Sequence, residues 1–186
     1  MRIVGGDLRG RTLAAPKSND IRPTIDRTRE SLFNIISHVY PEALQQTRVI
    51  DLFAGTGAVG IEALSRGCKA ALFVENSVEG RGLLWENIES LALHGRTRIL
   101  RRDATSLGDV GTIEPFQFLF ADPPYGKALG EAALFAAHAG RWLEPGALAI
   151  LEERADVLPQ VHDVFKPLEQ RIFGDTRMHF FRYQPN

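Results

Sequence analysis

Cysteine is almost missing from this chain. Cys68 stands alone among 186 residues, which excludes an internal disulfide framework and points to a reducing cytoplasm. Long apolar runs are missing too; none approaches the ~18 residues that a membrane span requires. The start, Met1 to Asp7, has neither the apolar stretch nor the small-residue cleavage site of a secretion signal. His38, His94, His138, His162 and His179 show no close ligand spacing, so no metal site is expected. Excess charge is absent as well: a net charge of −1 argues against a general polyanion binder. Repeats and low-complexity segments are lacking, and the length suits one domain with a sizeable core. With no obvious spare apolar helix, a monomer is the default expectation.

What charge there is lies unevenly. Residues 1–29 hold Arg2, Arg9, Arg11, Lys17, Arg22, Arg27 and Arg29 against Asp7, Asp20 and Asp26, which gives +4 there and −5 elsewhere. A basic arm on an acidic body suits a protein that touches phosphates with one end, although a solvated terminal segment has the same composition. The first sixteen residues are broken by glycine-containing turns and read as a short β-hairpin or ribbon ending at Pro16. A helix is expected from about Asp26 to His38, with Leu32, Ile36 and Val39 on one face and Phe33 and Ile35 widening it.

From residue 48 onward, apolar strands alternate with helices. Strands are expected at Arg48–Phe53, Ala70–Glu75, Arg98–Leu100, Phe116–Ala121 and Ala147–Leu151. Between them fall helices at Ala58–Arg66, capped by Gly67, at a segment carrying Leu84, Ile88 and Leu91, and at about Ala128–Trp142. That order implies a parallel sheet covered on both faces. The end differs: Gln170–Phe173 and Met178–Tyr183, around Gly174-Asp175, read as an antiparallel edge hairpin.

Two motifs carry chemistry. Asp51-Leu52-Phe53-Ala54-Gly55-Thr56-Gly57-Ala58-Val59-Gly60 follows the first strand, where open α/β sheets bind ligands. Glycines there let backbone amides approach a nucleotide-like cofactor. Gly55-x-Gly57-x-x-Gly60 also satisfies a dinucleotide fingerprint, and Glu75 is placed to hold a ribose in either case. Asp51 favours the methyl donor S-adenosylmethionine, since a carboxylate repels a pyrophosphate and attracts a sulfonium. Asp103, ending the third strand, could reach the adenine.

Asp122-Pro123-Pro124-Tyr125 follows the fourth strand, beside that loop. An exocyclic amine on a base is a poor nucleophile, because its lone pair is delocalised into the ring. The Asp122 carboxylate and the Pro123 carbonyl can accept its two N–H groups and aim the lone pair at a methyl group. Two prolines fix consecutive φ angles, so these acceptors are placed in advance. Tyr125 offers a stacking face worth ~1–3 kcal/mol. The base must be unpaired or flipped out to enter.

Together these motifs resemble the class I, Rossmann-like methyltransferases acting on base amino groups. Within that group the chain is similar to the bacterial small-subunit ribosomal RNA guanine-N2 methyltransferases of the RsmD type. The more specific segments are Gly5-Gly6-Asp7-Leu8-Arg9-Gly10-Arg11 and Arg22-Pro23-Thr24-Ile25-Asp26-Arg27-Thr28-Arg29-Glu30-Ser31-Leu32-Phe33-Asn34. Phe173 departs from the tyrosine expected before the Gly174-Asp175 turn. The resemblance implies a seven-stranded sheet, six strands parallel and one antiparallel, with helices on both faces. A basic N-terminal extension over residues 1–40 would precede a methyltransferase core over 41–186. It further implies transfer from S-adenosylmethionine, leaving S-adenosylhomocysteine, to N2 of a guanine (conventionally position 966 of 16S ribosomal RNA) in a partly assembled small subunit. Asp51, Phe53, Gly55, Thr56, Gly57, Glu75, Asn76, Asp103 and Ala104 would then form the cofactor site. Asp122, Pro123, Pro124 and Tyr125 would hold the guanine, and Arg9, Arg11, Arg22, Thr24, Arg27 and Arg29 would meet RNA. Guanine rather than adenine, and RNA rather than DNA, rest on this resemblance alone. The competing readings are a DNA adenine-N6 methyltransferase, an NAD-dependent oxidoreductase and a non-catalytic RNA-binding assembly factor.

Overall fold

The computed structural model describes residues 1–18 and 24–186. One seven-stranded sheet organises them, in the order β3-β2-β1-β4-β5-β7-β6. The strands are β1 (Arg48–Leu52), β2 (Ala70–Val74), β3 (Thr97–Leu100), β4 (Phe116–Ala121), β5 (Leu143–Arg154), β6 (Phe165–Phe173) and β7 (Thr176–Tyr183). Only β7 runs against the rest, antiparallel to both β5 and β6, so six strands share one direction as expected. Strands β1, β2 and β4 are apolar almost throughout because both faces are covered. On one face lie helices α1 (Asp26–Val39), α2 (Ala58–Ser65) and α3 (Val78–Ser90), with Phe33, Ile61, Phe73, Leu84 and Phe118 in one core. Helix α4 (Leu129–Ala139) covers the other, packing Ala133, Leu134 and Ala137 with Leu119 and the fully buried Trp142.

Several boundaries shift for physical reasons. Val39 is half exposed, and the buried stripe of α1 instead runs Arg29, Leu32, Phe33, Ile36 and on to Tyr40. Helix α4 stops before Trp142, because the chain turns at Gly140 and Arg141 to drive that indole into the core, its Nε1 donating to the Gly108 carbonyl at 2.8 Å. Strand β5 starts earlier than alternation suggested, since its register against β4 shifts between Phe116 and Phe118. Edge strand β6 is also longer; most of its side chains face solvent, so no apolar signal marked its first half.

The N-terminal hairpin is reduced to a single antiparallel bridge between Arg2 and Thr12. Ile3 N, Gly10 N and Leu13 N still donate across it, to the carbonyls of Arg11, Ile3 and Met1, while α2 claims amides nearer its turn. Val4 N and Gly5 N donate to the Glu62 carboxylate at 3.0 and 2.9 Å, and Asp7 N donates to the Ser65 carbonyl at 2.8 Å. Glu62 is wholly buried and also receives Arg29 Nε at 3.3 Å and Arg66 Nε at 2.9 Å. Arg29, equally buried, donates besides to the carbonyls of Thr24 and Arg2 and to Asp26. One carboxylate therefore ties the N-terminal segment, α1 and α2 together. Replacing Glu62 with alanine leaves the buried Arg29 with Asp26 as its remaining carboxylate and strips Val4 N, Gly5 N and Arg66 of their acceptor, and should lower stability by about 3 kcal/mol in urea denaturation.

Candidate functional site

The carboxyl ends of four neighbouring strands are level. Leu52 of β1 pairs with Val74 of β2 and Ala121 of β4, and Val74 pairs with Leu100 of β3. The residues that follow each end, Phe53, Glu75, Asp122 and the segment from Arg101 to Asp103, thus emerge along one rim. A cleft of about 670 Å³ opens there, within the range of a small-molecule site. Phe53, Gly55, Thr56, Glu75, Asn76, Asp103, Ala104, Asp122, Pro123, Pro124 and Tyr125 all line it. Both motifs therefore meet in one place.

The loop after β1 is held open by left-handed backbone at Phe53, Gly55 and Gly57, with φ of 56°, 57° and 81°. A bulky residue in that region is strained, which is common where backbone shapes a ligand site. Glu75 fixes the loop. Its Oε1 accepts from Gly55 N at 2.7 Å and its Oε2 from Ser77 N at 2.9 Å. Each oxygen retains a lone pair for a ligand hydroxyl. Asp103 spends Oδ1 on the amide and hydroxyl of Thr105, at 2.9 and 2.7 Å. Its Oδ2 has no hydrogen-bond partner among the described residues.

Other glycines of the loop serve packing rather than ligand approach. A Cβ on Gly57 would lie 2.3 Å from Leu84 Cδ2, and one on Gly60 would lie 2.4 Å from the Phe73 ring. Asp51 is likewise turned inward. It is 2 % exposed, lies outside the lining of the cleft and accepts from Gly60 N at 3.0 Å. Burial pushes its carboxyl well above the usual range, against the lowering effect of that amide, and the nearby Glu75 raises it further. The expectation that Asp51 attracts a sulfonium is therefore replaced: it clamps the start of α2 onto β1.

Asp122-Pro123-Pro124-Tyr125 is braced from behind. Pro123 is buried against Gly130 in the first turn of α4, where a Cβ would lie 3.1 Å from Pro123 Cγ and 2.4 Å from Leu151 Cδ1. Gly126 N donates to the buried Glu153 at 2.9 Å, tying the end of the motif to β5. Five further residues of the lining were not anticipated: Val74, Ser77, Glu79, Arg102 and Leu129. Ser77 is the N-cap of α3, its side chain accepting from Gly80 N at 3.0 Å, and Ser two residues after Glu75 could have signalled it. Glu79 had no local signal. It accepts from Lys17 N and Ser18 N, both at 3.1 Å, which brings the N-terminal segment to the rim of the cleft.

The residues expected to meet RNA separate into distinct places. Arg29 is enclosed with Glu62 and turns no charge to solvent, so its place among RNA contacts is corrected to a structural one. Arg9 and Arg27 are exposed and Thr24 half-buried, whereas Arg22 lies outside the described residues. Arg11 donates to the Ser90 carbonyl at 3.2 Å, at the far end of α3 and roughly 16 Å along its axis from Glu79. Among the described residues no group of three metal-ligating side chains forms, and no helix is long and apolar enough to cross a membrane.

The raised Asp51 carboxyl has a sign. Protonation is favoured in the folded chain, so folding loses stability as pH rises above the ordinary carboxylate value of ~4 and until the folded value is passed. Asp51→Asn keeps an acceptor for Gly60 N and removes that loss. Its advantage over the parent in urea denaturation should be smallest near pH 4 and grow as pH rises from there; parallel profiles would contradict the assignment.

The family described as Conserved hypothetical protein 95 matches residues 1–182. Ribosomal RNA small subunit methyltransferase D of Escherichia coli strain K12 is 37% identical over 184 residues, covering 98% of this chain and 89% of its own length. Putative rRNA methyltransferase YlbH of Bacillus subtilis strain 168 is 34% identical over 185 residues, with 98% of each chain covered. Among solved structures, the putative methyltransferase yhhF from Escherichia coli superposes with a TM-score of 0.84 at 29% identity, covering 100% of this chain and 99% of that one. The sheet is thus the Rossmann-like one of methyltransferase structures, and this chain belongs to the family of ribosomal RNA small subunit methyltransferase D described as Conserved hypothetical protein 95.

Proposed function

We propose that this chain is an S-adenosylmethionine-dependent ribosomal RNA methyltransferase, acting on the N2 amine of a guanine in small-subunit RNA, with guanine 966 as the position. One observation carries the reading: the loop after β1 and Asp122–Tyr125 line a single cleft, so a cofactor and a base would meet there. The relatives named as ribosomal RNA methyltransferases, matched over nearly the whole chain, supply the RNA.

The residues present fit the cofactor. Glu75 offers two acceptors to ribose hydroxyls, and the open Oδ2 of Asp103 suits an adenine amino group. Phe53, Thr56, Asn76 and Ala104 complete the wall. When bound, the cofactor supplies an electrophilic methyl group on a sulfonium. Gly57 and Gly60, packed on Leu84 and Phe73, leave the dinucleotide reading without its close backbone approach to a pyrophosphate. On the other side of the cleft, the Asp122 carboxylate and Pro123 carbonyl accept the N–H groups of the amine. That orients its lone pair and stabilises the positive charge that develops on nitrogen. Tyr125 stacks on the base. Residues 1–40 form an extension that brings Ser18 to the rim and closes over the cofactor, while 41–186 form the core. Arg9, Arg11, Thr24 and Arg27, together with Arg22, meet RNA backbone. A ribosomal substrate places the chain in the cytoplasm, and it acts as a monomer without a metal.

Unmodified small ribosomal subunits, naked ribosomal RNA and duplex DNA should be incubated with the methyl-labelled cofactor and digested to nucleosides. N2-methylguanosine from RNA is expected; N6-methyladenine from DNA would contradict the substrate. Asp122→Ala should lower kcat by at least about 100-fold while cofactor affinity stays unchanged. Glu75→Ala should instead weaken cofactor binding by roughly 10–100-fold, measured calorimetrically.

A further inference from the structure

Strand β3 closes one side of the sheet and, among the described residues, pairs only with β2. From His94 to Arg102 the chain carries Arg96, Arg98, Arg101 and Arg102 and no acidic residue, although the whole protein has a net charge of −1. All four arginines are exposed. Two are partly engaged: Arg96 donates to the carbonyls of Cys68 and Leu64 at 2.7 and 3.3 Å, and Arg102 to that of Leu107 at 2.6 Å. Arg98 and Arg101 make no hydrogen bond or ion pair among the described residues.

The two ends of this strand lead to two hollows. At its upper end Arg102 lines the cleft already described. At its lower end Arg96 and Arg98 line a second, open hollow of about 350 Å³, together with Arg48, Thr97 and Thr112. Glu114 is the carboxylate of that lining; it stands 3.8 Å from Arg48 and is three-quarters exposed. The Arg48 guanidinium lies over the Phe116 ring, 4.9 Å from its centroid, and its Nε is buried with no acceptor. A buried N–H without a partner is uncommon and marks a place where an acceptor is missing. Three guanidiniums, one of them carrying the orphaned Nε, and two hydroxyls suit the oxygens of a phosphodiester.

We propose that the β3 edge is a phosphate track, on which the RNA that delivers its guanine to the cleft lays its flanking backbone. Arg101 and Arg98 hold the phosphates, and the hollow at Arg48 receives the far one. β3 ends at Leu100, where Arg102 N turns back to the Leu100 carbonyl, so Arg98 lies at most about 13 Å from Arg102, a span that a few nucleotides cover. The track reads no sequence; it fixes register and orientation. It rests on the ribosomal RNA reading above.

The test compares the full chain with Arg98→Gln/Arg101→Gln on a 16S ribosomal RNA transcript, across a series of salt concentrations. Both side chains are exposed, so the melting temperature should not move. The expected result is an unchanged kcat, a KM raised on the order of tenfold, and a salt dependence of log affinity shallower by about 1.4, two contacts at ~0.7 each. Arg98→Lys/Arg101→Lys should restore most of the KM, because a point charge suffices for a phosphate. Equal KM and equal salt dependence in parent and variant would overturn the track while leaving the enzyme's function standing, as would a fall in kcat alone. A parent chain that methylates no RNA would overturn the functional reading and the track with it.

Discussion

The reversal of strand order at the centre of the sheet is the constraint on which the site depends. The chain leaves β1 through α2 on one face towards β2, and leaves β4 through α4 on the other face towards β5. Connections that diverge in this way leave a crevice above the two strand ends. Leu52 and Ala121 are paired, so the loop after β1 and the Asp122 motif begin at the same level. Nothing else in the molecule needs to bring them together. The remaining contacts, such as Glu75 on Gly55 N and Glu153 on Gly126 N, hold the two walls in shape.

Buried carboxylates do much of that holding. Asp51 clamps α2 to β1, and Glu62 gathers Val4, Gly5, Arg29 and Arg66 around one side chain. The Glu62 charge leaves water in exchange for two backbone amides and two guanidiniums, whereas burial favours the neutral form of Asp51, held by the Gly60 amide. The consequence for function is indirect. With the N-terminal segment pinned on α2 and, through Lys17 and Ser18, on Glu79, the start of the chain reaches the rim of the cleft without a domain of its own.

Much of this was legible in the sequence because it is local. Alternating apolar strands and helices gave the sheet, and Phe116–Ala121 was placed at its observed ends. The two motifs were legible because strand ends and glycine turns are marked by composition. Long-range partners left no such mark. Asp51 and Arg29 look the same in a sequence whether they face a ligand or a buried partner. What separates them is an amide nine residues away in one case and a glutamate on another helix in the other. The glycines mislead in the same manner, since a residue that lets a ligand approach and one that lets Leu84 or Phe73 approach share one letter. Glu79 became visible only when residues distant in the chain met at α3. Arg98 of β3 and the arginines that flank the strand were present in the sequence, but only the sheet order shows that they lie on an edge between two hollows.

The central claim is that the cleft above β1 and β4 is built for S-adenosylmethionine. Titration calorimetry of S-adenosylhomocysteine into the purified chain, with NAD as the competitor ligand, tests it most directly. The account predicts one S-adenosylhomocysteine bound per chain, with NAD unable to displace it. Saturable binding of NAD with no heat from S-adenosylhomocysteine would contradict it.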